Sequence, residues 1–305
     1  MEIIRVIGTA LVPSEKKTVL TLGFFDGVHA GHAALLARTR EEADRRGALP
    51  AVCSFAQNSG IKEGSPRLMQ EEERLAALAQ AGMERVYLLD FSSVRDMSCE
   101  DFCKHMILDG MQATAVVCGF NFRFGRAGMG DASTLRRLLA PFGVDTVILP
   151  PVTHENETVS SSAIRAAAEA GDVEKAALLL GKPLSFMGEV VHGKALGKQM
   201  GYPTANLAWP GHALLPARGV YAVRVEVEGQ ELCGIANVGV RPTVEEGGVQ
   251  NCEVHLFGGA GDLYGKRMTV RFYHRLRDEM KFDNLQALCA QIAEDEAKAK
   301  EYFHE

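Results

Sequence analysis

Residues 18–32 read Thr18-Val19-Leu20-Thr21-Leu22-Gly23-Phe24-Phe25-Asp26-Gly27-Val28-His29-Ala30-Gly31-His32. The first five, apolar and β-branched, predict a strand. An amphipathic stretch over 33–46 predicts a helix on the far side of a glycine-punctuated turn. In such a strand–turn–helix unit the helix start faces the carboxyl end of the strand, where its amide groups can receive phosphate. Gly27 and Gly31 let backbone approach a ligand closely. His29 and His32, three apart at the helix start, can donate to one anionic group. A single histidine there is more often a packed or surface residue; a pair inside this turn points to phosphate. A zinc reading lacks a third ligand of comparable quality.

The same rhythm extends outward. Short apolar runs at 18–22, 49–54, 86–89, 115–118 and 146–149 predict strands, with helices over 33–46, 71–81, 99–109 and 133–139 between them. Strand–helix alternation with continuous apolar strands predicts a parallel sheet covered on both faces. Helices over 162–169 and 173–180 follow, and Gly181-Lys182-Pro183 marks a stop. Beyond residue 183 the pattern changes to strands at 186–191, 220–227, 232–238, 254–257 and 268–273, and a last helix over 284–302. Val223, Val225 and Val227 alternate with Arg224, Glu226 and Glu228, the period of a half-exposed strand. Glu228-Gly229-Gln230 suits a hairpin turn. The second part is expected to be a small antiparallel barrel or sandwich, with the domain boundary near 183.

Composition narrows the function classes. The chain has 305 residues, and 33 Lys plus Arg face 39 Asp plus Glu for a net charge of −6. That balance argues against bulk affinity for nucleic acid or anionic membrane and leaves room for a local basic pocket. No run approaches the about 18 apolar residues of a membrane span, and residues 1–17 lack the order of a secretory signal. Seven cysteines at 53, 99, 103, 118, 233, 252 and 289, with no C-x-x-C, suggest reduced thiols in a cytoplasmic protein. Cys99 and Cys103 are expected in the core rather than on a metal.

Two further stretches carry chemistry. Ser160, Ser161 and Ser162 open a helix with Arg165 one turn inside, which can clamp a triphosphate; alone, a serine cap with a surface arginine explains them equally well. Gly188 to Ala195 has the spacing of G-x-x-x-x-G-K, but it ends in Ala and opens no helix, so it is not a Walker A loop. The longer run to Asn206, with Gly193, Gly197, Gly201, Lys194 and Lys198, can fold over a triphosphate. The Thr204 hydroxyl and Asn206 carbonyl are hard oxygen donors suited to Mg²⁺.

The first turn resembles the H-x-G-H signature of the nucleotidylyltransferase superfamily, specifically its flavin-adenylating branch. Gly119-Phe120-Asn121-Phe122-Arg123-Phe124-Gly125, with Gly128 and Gly130-Asp131, is similar to that branch's G-x-[DN]-F-R-F-G segment. Ser160-Ser161-Ser162-Ala163-Ile164-Arg165 resembles its S-S-T-x-I-R motif. The resemblance implies adenylyl transfer from ATP to FMN, giving FAD and pyrophosphate. His29 and His32 would hold the α-phosphate; Ser161, Ser162 and Arg165 would hold pyrophosphate. Gly23, Asp26, Gly27 and Gly31 would line the nucleotide turn, and Asn121 and Arg123 would lie near flavin and nucleotide. This chain departs from the branch at Phe24, where Asn is usual, and at Phe55-Ala56-Gln57-Asn58-Ser59, where F-D-P-H-P is usual.

From 184 to 303 the chain resembles the riboflavin kinase module. Gly201-Tyr202-Pro203-Thr204-Ala205-Asn206 matches its G-[FY]-P-T-A-N core. Gly219-Val220-Tyr221, the run from Asn237 to Thr243, Glu253-Val254-His255-Leu256, Asp262 to Lys266 and Leu276 to Phe282 continue the match. The resemblance implies γ-phosphoryl transfer from ATP to the ribityl 5′-hydroxyl of riboflavin. Glu253 carries over as base, Thr204 and Asn206 as Mg²⁺ ligands, and Gly193, Lys194, Gly197 and Lys198 as the ATP loop. Pro203 and Asn237 carry over as binding residues, Arg277 and Phe282 as part of a flavin-covering segment.

Together the segments resemble the bifunctional riboflavin kinase/FMN adenylyltransferase (prokaryotic FAD synthetase) family. The implied architecture is α/β plus β. A Rossmann-like nucleotidylyltransferase domain with a parallel sheet spans 1–183, and a small antiparallel riboflavin-kinase β-barrel with a terminal helix spans 184–305. Partners would be the small molecules ATP, riboflavin and FMN, with no nucleic acid and no membrane. A kinase with a merely structural N-terminal domain, and a flavin or nucleotide sensor without turnover, are the competing readings.

Overall fold

A computed structural model describes residues 1–8, 11–56, 66–193, 201–209, 212–241, 249–259 and 261–304. The chain divides into two compact units, Met1–Ser65 with Gln70–Ser160, and Pro66–Met69 with Ser161–Glu305.

In the first unit the main strands are β1 (Glu2–Val6), β2 (Thr18–Leu22), β3 (Leu49–Phe55), β4 (Arg85–Leu89) and β5 (Ala113–Gly119). A two-residue pair, β6 (Arg123–Phe124) with β7 (Gly130–Asp131), precedes β8 (Asp145–Leu149), and β9 (Thr153–His154) pairs with β10 (Glu157–Thr158). The sheet runs β1-β4-β3-β2-β5-β8, with every neighbour parallel. Central β2 is buried along its whole length. Leu20 and Leu22 join one core cluster with Tyr87, Met106 and Val116, while Val19 joins Ala43 and Val117 in another. Both faces are covered, which explains the continuous apolar strands.

Helices α1 (Ala30–Arg46), α2 (Glu71–Gln80), α3 (Phe91–Val94), α4 (Cys99–Asp101) and α5 (Ala132–Leu139) complete the unit. Gly47 stops α1 in the left-handed region at φ 61°, its N–H donating back to the last turn. The helix expected over 99–109 widens into a π-helical stretch, Phe102–Gly110, which buries Phe102, Cys103, Met106 and Ile107. The chain passes from β4 back across the sheet to β5, so β2 and β5 flank the point where strand order reverses. Ligands of such sheets bind in the crevice at those carboxyl ends.

The second unit contains β11 (Leu184–Val191), β12 (Thr204–Leu207), β13 (Gly219–Val227), β14 (Gln230–Arg241), β15 (Val249–Leu256) and β16 (Arg267–Arg277). They close into an antiparallel barrel in the order β11-β12-β15-β14-β13-β16, because β11 pairs with both β12 and β16. Of the two expected forms it is the barrel. Phe186, Val190, Leu207, Val223, Val254, Val270 and Phe272 fill its interior. Glu228 and Gly229, at φ 50° and 76°, make the two-residue turn from β13 to β14.

Helices α6 (Ser161–Glu169) and α7 (Val173–Leu180) are grouped with the barrel, although they precede residue 183. Val173 enters the barrel core cluster, and Glu174 meets His274 on β16. The last helix, α8 (Leu285–Phe303), lies on the outer face, with Ile292 and Ala299 against Val220, Ala222 and Ile235.

Candidate active sites

The turn after β2 begins with the Gly23 N–H donating to the Cys53 carbonyl at 3.2 Å. Phe25 then buries its ring completely, and a Cβ on Gly23 would lie 3.1 Å from it. Phe25, Gly27 and Val28 all have positive φ, at 57°, 91° and 45°. For Phe and Val this is costly, and surrounding structure must hold it. His29 is the N-cap of α1, its Nδ1 accepting from the His32 N–H at 3.4 Å. The two imidazole rings stack at 3.8 Å and 18°. Gly31 permits that approach, since a Cβ there would sit 3.2 Å from Cε1 of His29. No acidic residue occupies the first turn of α1, so its positive end keeps its capacity for an anion. Asp26 is buried in the same turn.

At the carboxyl end of β5 the Phe122 N–H donates to Gly119, and exposed Asn121 and Arg123 follow. Asp131 has a structural task beside them. It caps α5, accepting from the Thr134 N–H at 2.8 Å and the Ser133 hydroxyl at 2.7 Å. Those hydrogen bonds, the backbone one foremost, lower its carboxyl to about 2. Cys99 packs beneath Gly125 and Gly130, where a Cβ would lie 2.6 and 2.7 Å from its sulfur, and Cys103 is buried in the core.

His29, His32, Asn121 and Arg123 thus belong to the first unit and Ser161, Ser162 and Arg165 to the second. Ser161 and Ser162 open α6, and buried Arg165 donates from Nε to the Pro66 carbonyl at 2.7 Å.

The barrel site follows from register. Ala205, Val254 and Ala236 point inward, so residues of the opposite parity on the same strands point outward. On β12, β15 and β14, Asn206 lies opposite Glu253 and Glu253 opposite Asn237; Thr204 lies opposite His255 and His255 opposite Ile235. Five polar side chains, Thr204, Asn206, Asn237, Glu253 and His255, are therefore cross-strand neighbours on one face. Asn251 donates to Oε1 of Glu253 at 3.0 Å. His255 donates from Nδ1 to the Pro203 carbonyl at 2.9 Å, fixing the residue before Thr204. Gly193 packs against buried Asn206.

A cavity of about 300 Å³ opens over this face, lined by Thr204, Asn237, Glu253, Arg277 and Phe282 among others. A second, of about 380 Å³, is lined by Pro203, Thr204, Asp262 and Tyr264. Thr204 lines both. Arg277 lies 5.8 Å from the Phe282 ring and is held by Asp295 of α8. Lys194, Gly197 and Lys198 lie outside the described residues.

Sequence reading passed over His255, Glu279 and Asp295, all in the first cavity wall. Asp295 carried a signal: it continues the apolar stripe Leu288, Ile292, Ala299 at helical spacing, where a carboxylate needs a partner.

Two family models match the chain: FAD synthetase over residues 12–163 and riboflavin kinase over 180–303. A bifunctional riboflavin kinase/FMN adenylyltransferase from Pseudomonas fluorescens is 37% identical over 95% of this chain and 94% of its own. The Bacillus subtilis protein of the same name is 33% identical over 95% and 93%. This chain belongs to the bifunctional riboflavin kinase/FMN adenylyltransferase family. A solved structure from Streptococcus pneumoniae, described as a macrolide-efflux protein, is 33% identical and has a TM-score of 0.89, covering 98% of this chain and 99% of that one. Efflux is said of that protein; among the described residues here no helix is long and apolar enough to cross a membrane. Family membership accounts for both the parallel-sheet unit and the barrel.

Proposed function

We propose that the chain makes FAD from riboflavin in two steps, with kinase chemistry assigned to 184–305 and adenylyl transfer to 1–183. The observation that carries the kinase step is Thr204 lining two cavities at once, with Glu253 in the wall of one. Two substrates placed on either side of Thr204 could exchange a group there. Riboflavin would lie under Arg277 and Phe282, and ATP on the side of Pro203 and Tyr264. Glu253 accepts the proton of the ribityl 5′-hydroxyl, whose oxygen bonds to the γ-phosphorus as the bond to ADP breaks.

Mg²⁺ fits the donor set. Thr204 and Asn206 offer neutral hard oxygens, and ATP phosphates would complete such a shell. When bound, the ion neutralises phosphate charge. Gly193 leaves Asn206 its place, Pro203 is held by His255, and Asn237 flanks Glu253. Lys194, Gly197 and Lys198 are assigned to ATP by family resemblance.

In the second step the FMN phosphate oxygen attacks the α-phosphorus of ATP and pyrophosphate leaves. No protein group becomes covalently attached, so positioning and charge carry the rate. His29 and His32 face the α-phosphate at the start of α1, within the turn of Gly23, Asp26, Gly27 and Gly31. Family resemblance assigns Ser161, Ser162 and Arg165 to pyrophosphate, and Asn121 and Arg123 lie at the carboxyl end of β5. The substrates and the cysteine pattern support a cytoplasmic setting.

Two variants test the assignment. Glu253→Ala should lower FMN formation by roughly 10²–10⁴-fold while FAD still forms from supplied FMN. His29→Ala should do the reverse. If each variant lost both activities together, the division of labour would be wrong.

A further inference from the structure

One buried cation bridges the turn after β2 and the end of β3, at the centre of the parallel sheet. Arg74, on the first turn and a half of α2, is 2% exposed. Its Nη1 donates to the Phe24 carbonyl at 2.7 Å and to the Ser54 hydroxyl at 3.3 Å, and its Nη2 donates to the Phe55 carbonyl at 2.7 Å. The Ser54 hydroxyl also donates to the Phe24 carbonyl, at 3.1 Å. The guanidinium carbon lies 4.6 Å from the centre of the Phe24 ring. Glu71, one turn back, comes within 3.9 Å of Nη2.

Phe24 and Phe55 stand just past the last β2–β3 pair, although Phe55 still pairs with Leu89 of β4. The β2–β3 ladder stops at Leu22 opposite Cys53, so the chains beyond it have no strand partner in common. The planar fork of arginine spans the gap and satisfies a carbonyl on each side, as a lysine could not with the same geometry. Burying the charge is costly without such partners, so the contacts fix where the guanidinium sits.

Downstream of Phe24 the chain enters the positive-φ residues Phe25, Gly27 and Val28 and then reaches His29. A turn with two non-glycine residues in that region relaxes when its support goes. We infer that Arg74 is a positioning residue for adenylyl transfer: it ties the histidine turn to the end of β3 and so sets where His29 and His32 meet the α-phosphate. The inference rests on the adenylyl-transfer reading above.

The test uses the full chain, with FAD formation from FMN and FMN formation from riboflavin measured side by side. Arg74→Met keeps the side-chain length and removes every donor; Arg74→Lys keeps the charge; Phe24→Leu removes the ring and keeps the carbonyl. Arg74→Met should lower kcat/KM for adenylyl transfer roughly tenfold to hundredfold, with KM for ATP raised. Arg74→Lys should recover part of that loss, and Phe24→Leu should show a smaller effect in the same direction. Kinase kinetics should not change. A merely structural loss would reduce the active fraction and leave KM as in the wild type, which overturns the inference; so would unchanged adenylyl transfer in Arg74→Met. Should Arg74→Met not fold, the Lys and Leu variants carry the same comparison. Absence of FAD in the wild type would instead sink the adenylyl-transfer reading. Amide hydrogen exchange over 23–29 would then still decide the anchor: faster exchange in Arg74→Met or Arg74→Lys supports it, and unchanged exchange overturns it.

Discussion

Arg277 grips Asp295 through three hydrogen bonds of 2.8–3.0 Å, two from Nε and one from Nη2, and Asp295 is 1% exposed. The pair joins the end of β16 to α8 in the wall of the cavity that also holds Glu253. Removing the carboxylate leaves a half-buried guanidinium without its partner, at a cost of about 3–5 kcal/mol for a buried pair. Asp295→Asn keeps the shape and loses the charge. It should raise KM for riboflavin about tenfold and leave KM for ATP nearly unchanged, since Arg277 faces the assigned flavin side. Steady-state kinase kinetics check this; equal shifts in both constants would argue against the assignment.

A Cβ on Gly193 would lie 2.2 Å from Nδ2 of Asn206. Gly193→Ala must therefore displace Asn206, and overpacking of this kind costs about 1–3 kcal/mol. The expected outcome is loss of kinase activity, with a higher Mg²⁺ concentration needed for half-maximal rate. FAD formation from FMN should be untouched. A magnesium titration of the variant measures this, and an unchanged midpoint would remove Asn206 from the metal.

Burial pushes the thiols of Cys53, Cys103 and Cys252 up to about 12 and that of Cys118 up to about 11. Thiolate is the reactive form, so at pH 8 these residues should resist alkylation in the native protein and react only in denaturant. Mass spectrometry after iodoacetamide treatment reads this directly. Rapid labelling of native Cys103 would contradict its core placement.

Asp131 supplies a pH-dependent contribution with a definite sign. Its carboxyl titrates at about 2 in the folded chain, below the ordinary value of about 3.9. A lowered folded value means stability that is present above pH 4 and lost as pH falls through 2. Asp131→Ala should thus lower the Tm of the first unit at pH 7, and the gap to wild type should narrow between pH 4 and pH 2. Thermal unfolding at the two ends of that window checks it; a constant gap would assign the cap no charge effect.

The central elements were legible because their signals are local. Thr18–Leu22 is found as the spacing predicts, and the α1 and α7 patterns survive nearly unchanged. Glu2–Val6 was not expected as a strand: five residues at a sheet edge gain their form from pairing with β4, far along the chain. Glycines and Pro203 crowd Thr204–Leu207 and give it the composition of a loop, yet it pairs with both β11 and β15. Barrel and sandwich look alike along the sequence, since closure is a property of β11 meeting both β12 and β16. His255, Asp295 and Arg74 acquire roles only through distant partners: Pro203, Arg277, and the carbonyls of Phe24 and Phe55. Their local patterns describe a strand and two helices, and the chemistry arises where those elements cross.

The most direct measurement separates by chromatography the products formed from riboflavin, ATP and Mg²⁺, beside a second reaction started from FMN. Two working sites predict FMN followed by FAD in the first reaction and FAD in the second. FMN alone in the first, with no FAD from supplied FMN, would contradict the account and leave a kinase beside an inactive parallel-sheet unit.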